Sequence, residues 1–283
     1  MQDRASSSTN AAAVARGVPP FEFLRLAHPE TGIAVITLDR PAARNSLSVG
    51  MLGELQTAVA EVSGDPAVHA VVLTANGPAF CAGHDLKEMT AARSDTDRGR
   101  AFFKQTMDAC SATMLAILKS PKPFIAAVQG VATAAGCQLV ATCDLAVAAA
   151  TAEFATPGVN IGLFCSTPMV ALTRNLPRKQ AMAMLLTGEM LSAQDALAYG
   201  LVNRVVAPDG VIEEAMLMAR AVAAKSPLTV AIGKEAFYRQ LELPVTEAYT
   251  FASNVMVENM MARDAAEGIG AFIEKRQPTW TGT

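Results

Sequence analysis

The stretch KPFIAAVQGVATAAGCQLVATC, residues 122–143, decides how this chain folds. Phe124 to Val128 is an apolar run between Pro123 and Gln129-Gly130, the pattern of a buried strand closed by a turn. Gly130 to Gly136 is built from small residues and leads into an apolar segment of helical character. From Phe124 to Cys143 no side chain carries a formal charge, and about 20 such residues are long enough to span a bilayer. Gln129, Thr133, Gln138 and Thr142 interrupt the run. It therefore reads as strand, turn and buried helix, and not as a membrane span.

The same alternation repeats on both sides. Residues 33–38 are a β-favouring run stopped by Asp39-Arg40-Pro41. Leu52, Leu55, Val59 and Val62, three and four apart, predict a helix over 48–63. Residues 70–74 read as a second buried strand closed by Asn76-Gly77-Pro78. Phe103, Met107, Cys110, Met114 and Leu118 share one side of a helix over 100–119, and residues 145–148 form a further strand. Strands alternating with helices predict an α/β core with parallel strand pairs. Ser192-Ala193-Gln194-Asp195 has the pattern of a helix start, Gly200 that of a left-handed cap, and residues 201–206 that of a strand. From Val211 only helical patterns appear, broken by Pro227 and Pro244. Their Met216, Met218, Met256, Met260 and Met261 read as packing or subunit-contact surface. The expected organisation is a flexible tail over 1–20, an α/β core over 21–210 and a helical region over 211–283.

Composition narrows the classes of function. Of the 283 residues 51% are hydrophobic and only 17% are charged, against about 25% charged in an average soluble protein. That shortage predicts surface buried against copies of the same chain. A net charge of −3 gives no electrostatic reason to bind nucleic acid. The five cysteines form no C-x-x-C, and His28, His69 and His84 are not at zinc spacing, so no metal is expected. An odd number of cysteines fits reduced thiols in the cytoplasm. The first residues, rich in Ala, Ser and Thr with Arg4 and Arg16, read as a tail, with an organellar transit peptide as the alternative.

Two loops can carry chemistry. Strand 70–74 leads through Phe80-Cys81-Ala82-Gly83-His84-Asp85 towards a helix, and strand 124–128 leads through residues 129–136 into another. Small residues let a ligand approach the backbone, and helix starts present unpaired N–H groups. Two such groups aimed at one oxygen would make an oxyanion hole. No phosphate-binding glycine loop and no G-x-S-x-G nucleophile elbow is present. His84 and Asp85, being sequence neighbours, are not expected to face each other, so His84 reads as a pocket wall or a backbone donor.

Leu38-Asp39-Arg40-Pro41 with Asn45-Ser46-Leu47, Phe80 to Leu86, Lys122 to Val128, Leu186-Thr187-Gly188-Glu189 with Ser192-Ala193, and Gly200-Leu201-Val202 together resemble the enoyl-CoA hydratase/isomerase (crotonase) superfamily, over about residues 21–280. Residues 134–138 and 154–166 resemble one branch of it. The resemblance implies a spiral of ββα units with a helical C-terminal region that builds trimers, often paired into hexamers. It implies an acyl-CoA thioester as ligand, with coenzyme A carried by the substrate and no other cofactor. By motif position the N–H groups of His84 and Ala135 would hold the thioester oxygen. Ala82, Lys122 and Phe124 match the path of the coenzyme A arm, and Phe272 and Lys275 match positions that close over its adenine end, sometimes from a neighbouring subunit.

The chain departs from the family where its hydratases carry two glutamates, for those places hold Gln138 and Gly158. An amide and a hydrogen atom exchange no proton near neutral pH, and each positioned acid or base is commonly worth about 10²–10⁴-fold. The resemblance thus implies an enzyme of the lyase or isomerase class with weak or unusual hydration, or else a non-catalytic acyl-CoA-binding protein. His84, Cys165, Ser166 and Asn160 are the substitutes considered, and Glu88 is expected to face solvent. Restoring both glutamates, Gln138→Glu with Gly158→Glu, is expected to raise hydration.

Overall fold

The computed structural model describes residues 21–283; the expected tail over 1–20 lies outside the described residues. Among the described residues ten strands and eleven α-helices follow in order. The strands are β1 (Leu24–Glu30), β2 (Gly32–Leu38), β3 (Val68–Ala75), β4 (Ala79–Cys81), β5 (Phe124–Val128), β6 (Val131–Thr133), β7 (Leu145–Ala149), β8 (Glu153–Ala155), β9 (Leu191–Ser192) and β10 (Arg204–Val206). The helices are α1 (Val49–Gly64), α2 (Leu86–Ala92), α3 (Arg100–Lys119), α4 (Ala135–Thr142), α5 (Ser166–Asn175), α6 (Arg178–Thr187), α7 (Ala193–Tyr199), α8 (Val211–Ala223), α9 (Pro227–Gln240), α10 (Val245–Met261) and α11 (Arg263–Glu274).

Three successive strand pairs, β3–β4, β5–β6 and β7–β8, each divide between two sheets. Their first members lie in a six-stranded sheet ordered β1-β2-β3-β5-β7-β10, and their second members in a four-stranded sheet ordered β4-β6-β8-β9. Each pair then runs towards a helix: α2, α4 or α5. The repeat is the ββα spiral expected of the family. In the large sheet every pairing is parallel except β1 with β2. Parallel strands covered on both faces need near-continuous apolar sequence, and β5 is buried at every position.

The C-terminal third divides in two. Helix α8 buries Val211, Ala215, Met216 and Ala219 against β2, β3, β5 and β7. Helix α9 is fixed by a buried ammonium. Lys234 Nζ donates to the Ile117 and Lys122 carbonyls at 2.9 Å each and to Asp144 Oδ2 at 2.7 Å. Asp144 also accepts from the Phe124 N–H and the Tyr238 hydroxyl. Burial lowers the Lys234 pKa, and Asp144 opposes that shift. All three ammonium donors are used, the condition under which a buried cation is tolerated. Helices α10 and α11 pack on α9 and on each other, and α10 buries no residue of its own.

Candidate active site

The two loops picked out in the sequence meet. Gly83 has φ +92°, and a Cβ there would lie 2.9 Å from Ala134 Cβ and 3.5 Å from the Ala135 nitrogen. A Cβ at Gly136 would lie 2.1 Å from the Cys81 carbonyl oxygen. Only glycine permits these approaches, so the first loop rests directly on the start of α4.

Backbone directions follow from the pairing of the first loop with Leu47. The Leu47 N–H donates to the Gly83 carbonyl at 2.7 Å, and the Asp85 N–H donates to the Leu47 carbonyl at 3.4 Å. Backbone groups alternate sides along an extended chain, so the His84 N–H points away from Leu47. On the second loop Ala134 adopts φ +50°, ψ −118°, a region costly for a residue with a Cβ. Its N–H donates to the Ala155 carbonyl at 2.9 Å. Ala135 is the first residue of α4, whose cap offers no side-chain hydrogen bond, so its N–H is one of the orphan donors of a helix start. Two donors without a hydrogen-bond partner among the described residues, on touching loops, are the components an oxyanion-binding site requires.

A polar cluster holds the first loop. Arg40 Nη1 contacts Asp85 Oδ2 at 2.8 Å, and Asp85 Oδ1 accepts from the Lys87 N–H to cap α2. Asn45, fully buried, donates to the Asn76 and Ala79 carbonyls at 2.8 Å each. Burial alone would raise the Asp85 pKa, but the Arg40 and Lys87 hydrogen bonds and the Arg40 charge outweigh it and hold it below the ordinary range. Asp85 therefore pairs with Arg40 and not with His84. Glu88, expected in solvent, instead accepts from the Val49 N–H at 3.0 Å and caps α1. This contact was not legible because it joins residues 39 apart in sequence.

The other expected residues lie as follows. Gln138 is buried, with Oε1 3.9 Å from Cys110 Sγ. Gly158 is also buried, in the turn Pro157–Ile161. A Cβ there would lie 2.8 Å from the Leu163 carbonyl oxygen and 2.9 Å from Cys165 Sγ. A glutamate at 158 therefore requires the loop at 163–165 to shift, which counts against the expectation that restoring both carboxylates raises hydration. Cys165 stands where that side chain would begin. All five cysteines are free and buried; burial pushes Cys81, Cys110 and Cys137 up to about 12 and raises Cys165 as well.

Ala82 is part of the first loop, its N–H donating to the Arg44 carbonyl at 3.0 Å. Lys122 and Phe124 are not brought to the two loops. They stand at the N-terminal end of β5, whereas the second loop leaves its C-terminal end, and the Phe124 ring is fully buried. Phe272, 85% exposed, and Lys275 lie at the end of α11, which packs on α9 and α10. Among the described residues no group of three or more His, Cys, Asp or Glu is placed to hold a metal ion. No single helix among them is long and apolar enough to cross a membrane.

This fold and these loops define a crotonase-type protein: residues 28–283 match the enoyl-CoA hydratase/isomerase family, and the chain belongs to it. Within that family it is similar to enoyl-CoA hydratase domain-containing protein 3, mitochondrial, of Rattus norvegicus, with 47% identity over 89% of this chain and 82% of the relative. This is the branch that residues 134–138 and 154–166 resemble. A crystal structure of an enoyl-CoA hydratase from Mycobacterium smegmatis is 50% identical and superposes with a TM-score of 0.87, covering 93% of this chain and 99% of that one. The crystal structure of human enoyl coenzyme A hydratase domain-containing protein 3 is 45% identical with a TM-score of 0.87, over 92% and 100% of the two chains.

Proposed function

We propose that the chain binds an acyl-CoA thioester, an enoyl-CoA or a relative of one, and polarises its carbonyl with the His84 and Ala135 N–H groups. The observation that carries this reading is the contact of the two loops at Gly83 and Ala134–Ala135, with both donors without a partner among the described residues. Such donors stabilise an enolate oxygen without any ionisable side chain. Coenzyme A arrives as part of the substrate, and no further cofactor is required. Gln138 and Gly158 make ordinary hydration weak. The same two residues favour a second reading, an acyl-CoA-binding protein without turnover.

Self-association as a trimer or hexamer is part of the proposal. Apolar residues of α10 and α11 stand in solvent, including Val257 at 59% and Phe272 at 85% exposure, and a second copy would cover them. Phe272 and Lys275 would then serve a neighbouring subunit's coenzyme A. Lys122 and Phe124 keep at most a supporting place on the coenzyme A path. The proposed location is the cytoplasm, with an organelle matrix supported by the relatives named mitochondrial.

The test is calorimetric titration with crotonyl-CoA beside an assay of its hydration. We expect binding, with turnover at least about 10²-fold below that of a relative carrying both glutamates. Absence of binding would remove the acyl-CoA reading altogether. Hydration at an ordinary rate would mean that the loss of the carboxylates has been bypassed.

A further inference from the structure

Gln138 stands on α4 three residues beyond Ala135. Residues at that spacing share a helix face, and a helical side chain leans towards the helix start. The carboxamide therefore lies over the turn that presents the Ala135 N–H. It is buried, with 4% of the residue exposed, and its Oε1 is 3.9 Å from Cys110 Sγ. Burial pushes the Cys110 thiol up to about 12, so the sulfur keeps its hydrogen and donates it to the amide oxygen. That contact orients the carboxamide: the oxygen is turned to Cys110 and the NH₂ group away from it.

No hydrogen bond holds that NH₂ group among the described residues. The fully occluded side-chain atoms without a partner there are His84 Nδ1, His84 Nε2, Gln129 Oε1 and Thr156 Oγ1. Gln138 Nε2 is not one of them, so it keeps a face on open space. The packing of α4 shows which space. Helices α3 and α5 and strands β4 and β6 close its flanks, and all eight of its residues are buried. Around its start Ala82, His84, Thr133 and Ala134 remain half-buried, and these belong to the two loops of the site.

We propose that Gln138 is a specificity-determining residue whose free amide N–H receives a second oxygen of the ligand, and that the acyl group is a 3-oxoacyl chain. The proposal rests on the acyl-CoA reading above and adds the class of acyl group. An alkyl chain laid over the N–H would bury a donor with no acceptor, which is unfavourable. A carboxylate on the chain would ask for a cation as well, and Arg40 is already engaged by Asp85. A keto oxygen needs only the donor.

A 3-oxo group also lessens the need for the two carboxylates that this chain lacks. A hydrogen between two carbonyls is acidic enough to leave to water as a proton. Its C–H electron pair becomes the enolate double bond, and the negative charge spreads over both oxygens. One is held by the two backbone N–H groups and the other by the amide.

The probes are acetoacetyl-CoA and butyryl-CoA, which differ only at carbon 3 of the acyl group, each titrated calorimetrically. Wild-type protein is expected to bind acetoacetyl-CoA at least about 10-fold more tightly. Gln138→Leu is expected to bind butyryl-CoA no less tightly than wild type and to lose the preference. A side chain kept only for packing would shift both affinities together when replaced. If Gln138→Leu does not fold, Gln138→Met carries the test, since its flexible side chain fills the space and donates nothing. Equal wild-type affinities, or a preference that survives in the variant that folds, overturns the assignment and leaves the acyl-CoA reading standing. Wild-type protein that binds neither thioester removes both.

Discussion

Helices α4 and α10 are both rich in apolar residues, yet all eight residues of α4 are buried and none of the seventeen of α10 is. Helix α4 is packed by its own chain, against α3, α5, β4 and β6. Helix α10 leaves Tyr249, Met256, Val257, Met260 and Met261 more than half exposed. The contrast separates two uses of hydrophobic sequence. One seats the start of a helix against backbone that has little room to give. The other provides a surface whose partner, in our proposal, is another copy.

The sharpest way to break this comparison is at Gly136. Gly136→Ala sets a Cβ 2.1 Å from a backbone carbonyl, and neither side can yield. We expect a loss of about 3 kcal/mol or more, or about 10 °C in melting temperature for a domain of this size. A variant that melts with the wild type would show that α4 has slack.

A smaller effect is expected at Arg40. Arg40→Gln leaves the Asp85 carboxylate buried without its cation, at a cost of about 2 kcal/mol. The lowered Asp85 pKa contributes stability that is present above its unfolded value of about 4. That contribution is lost as pH falls through the folded value. Denaturant titrations between neutral and strongly acidic pH should therefore show a shallower acid decline in the variant. Parallel curves for the two proteins would remove Asp85 from the account.

The smallest effect on the fold belongs to α10. Val257→Asp with Met261→Asp should alter the stability of a single chain by about 1 kcal/mol or less while shifting self-association towards smaller species by light scattering. A sharp drop in stability at low protein concentration would mean that α10 is packed by its own chain after all.

The frame was legible because long elements carry their own periodicity. The helix over 100–119 and the strand over 124–128 lie where the sequence places them. Ser192 caps α7 through the Asp195 N–H, Gly200 is left-handed, and Pro227 and Pro244 stand at helix starts. The strand expected over 201–206 is shorter, Arg204–Val206, because Leu201 and Val202 are buried in the turn after Gly200. The methionines divide: Met216 is core, while Met256, Met260 and Met261 are exposed. Strands β4, β6, β8 and β9 were illegible. With two or three residues each, they are specified by partners far away in sequence and not by local pattern. His84 and Gln138 were visible as letters, but the burial of the one's ring nitrogens and the thiol beside the other exist only in three dimensions. The obstruction at Gly158 was hidden for the same reason, since it arises from a loop carbonyl and Cys165.

The close contact at Gly136 has a bearing on how such a site changes through descent. The gauge between the two donor loops is set by an atom that is missing, and removing that gap threatens the fold before it touches any reaction. Substitutions at 138 and 158 meet no such penalty for losing a carboxylate. The proton chemistry at 138 and 158 is therefore freer to change than the contact between the two loops. On this geometry the spacing of the loops is the part with least room to change, and the side chain at 138 the part with most.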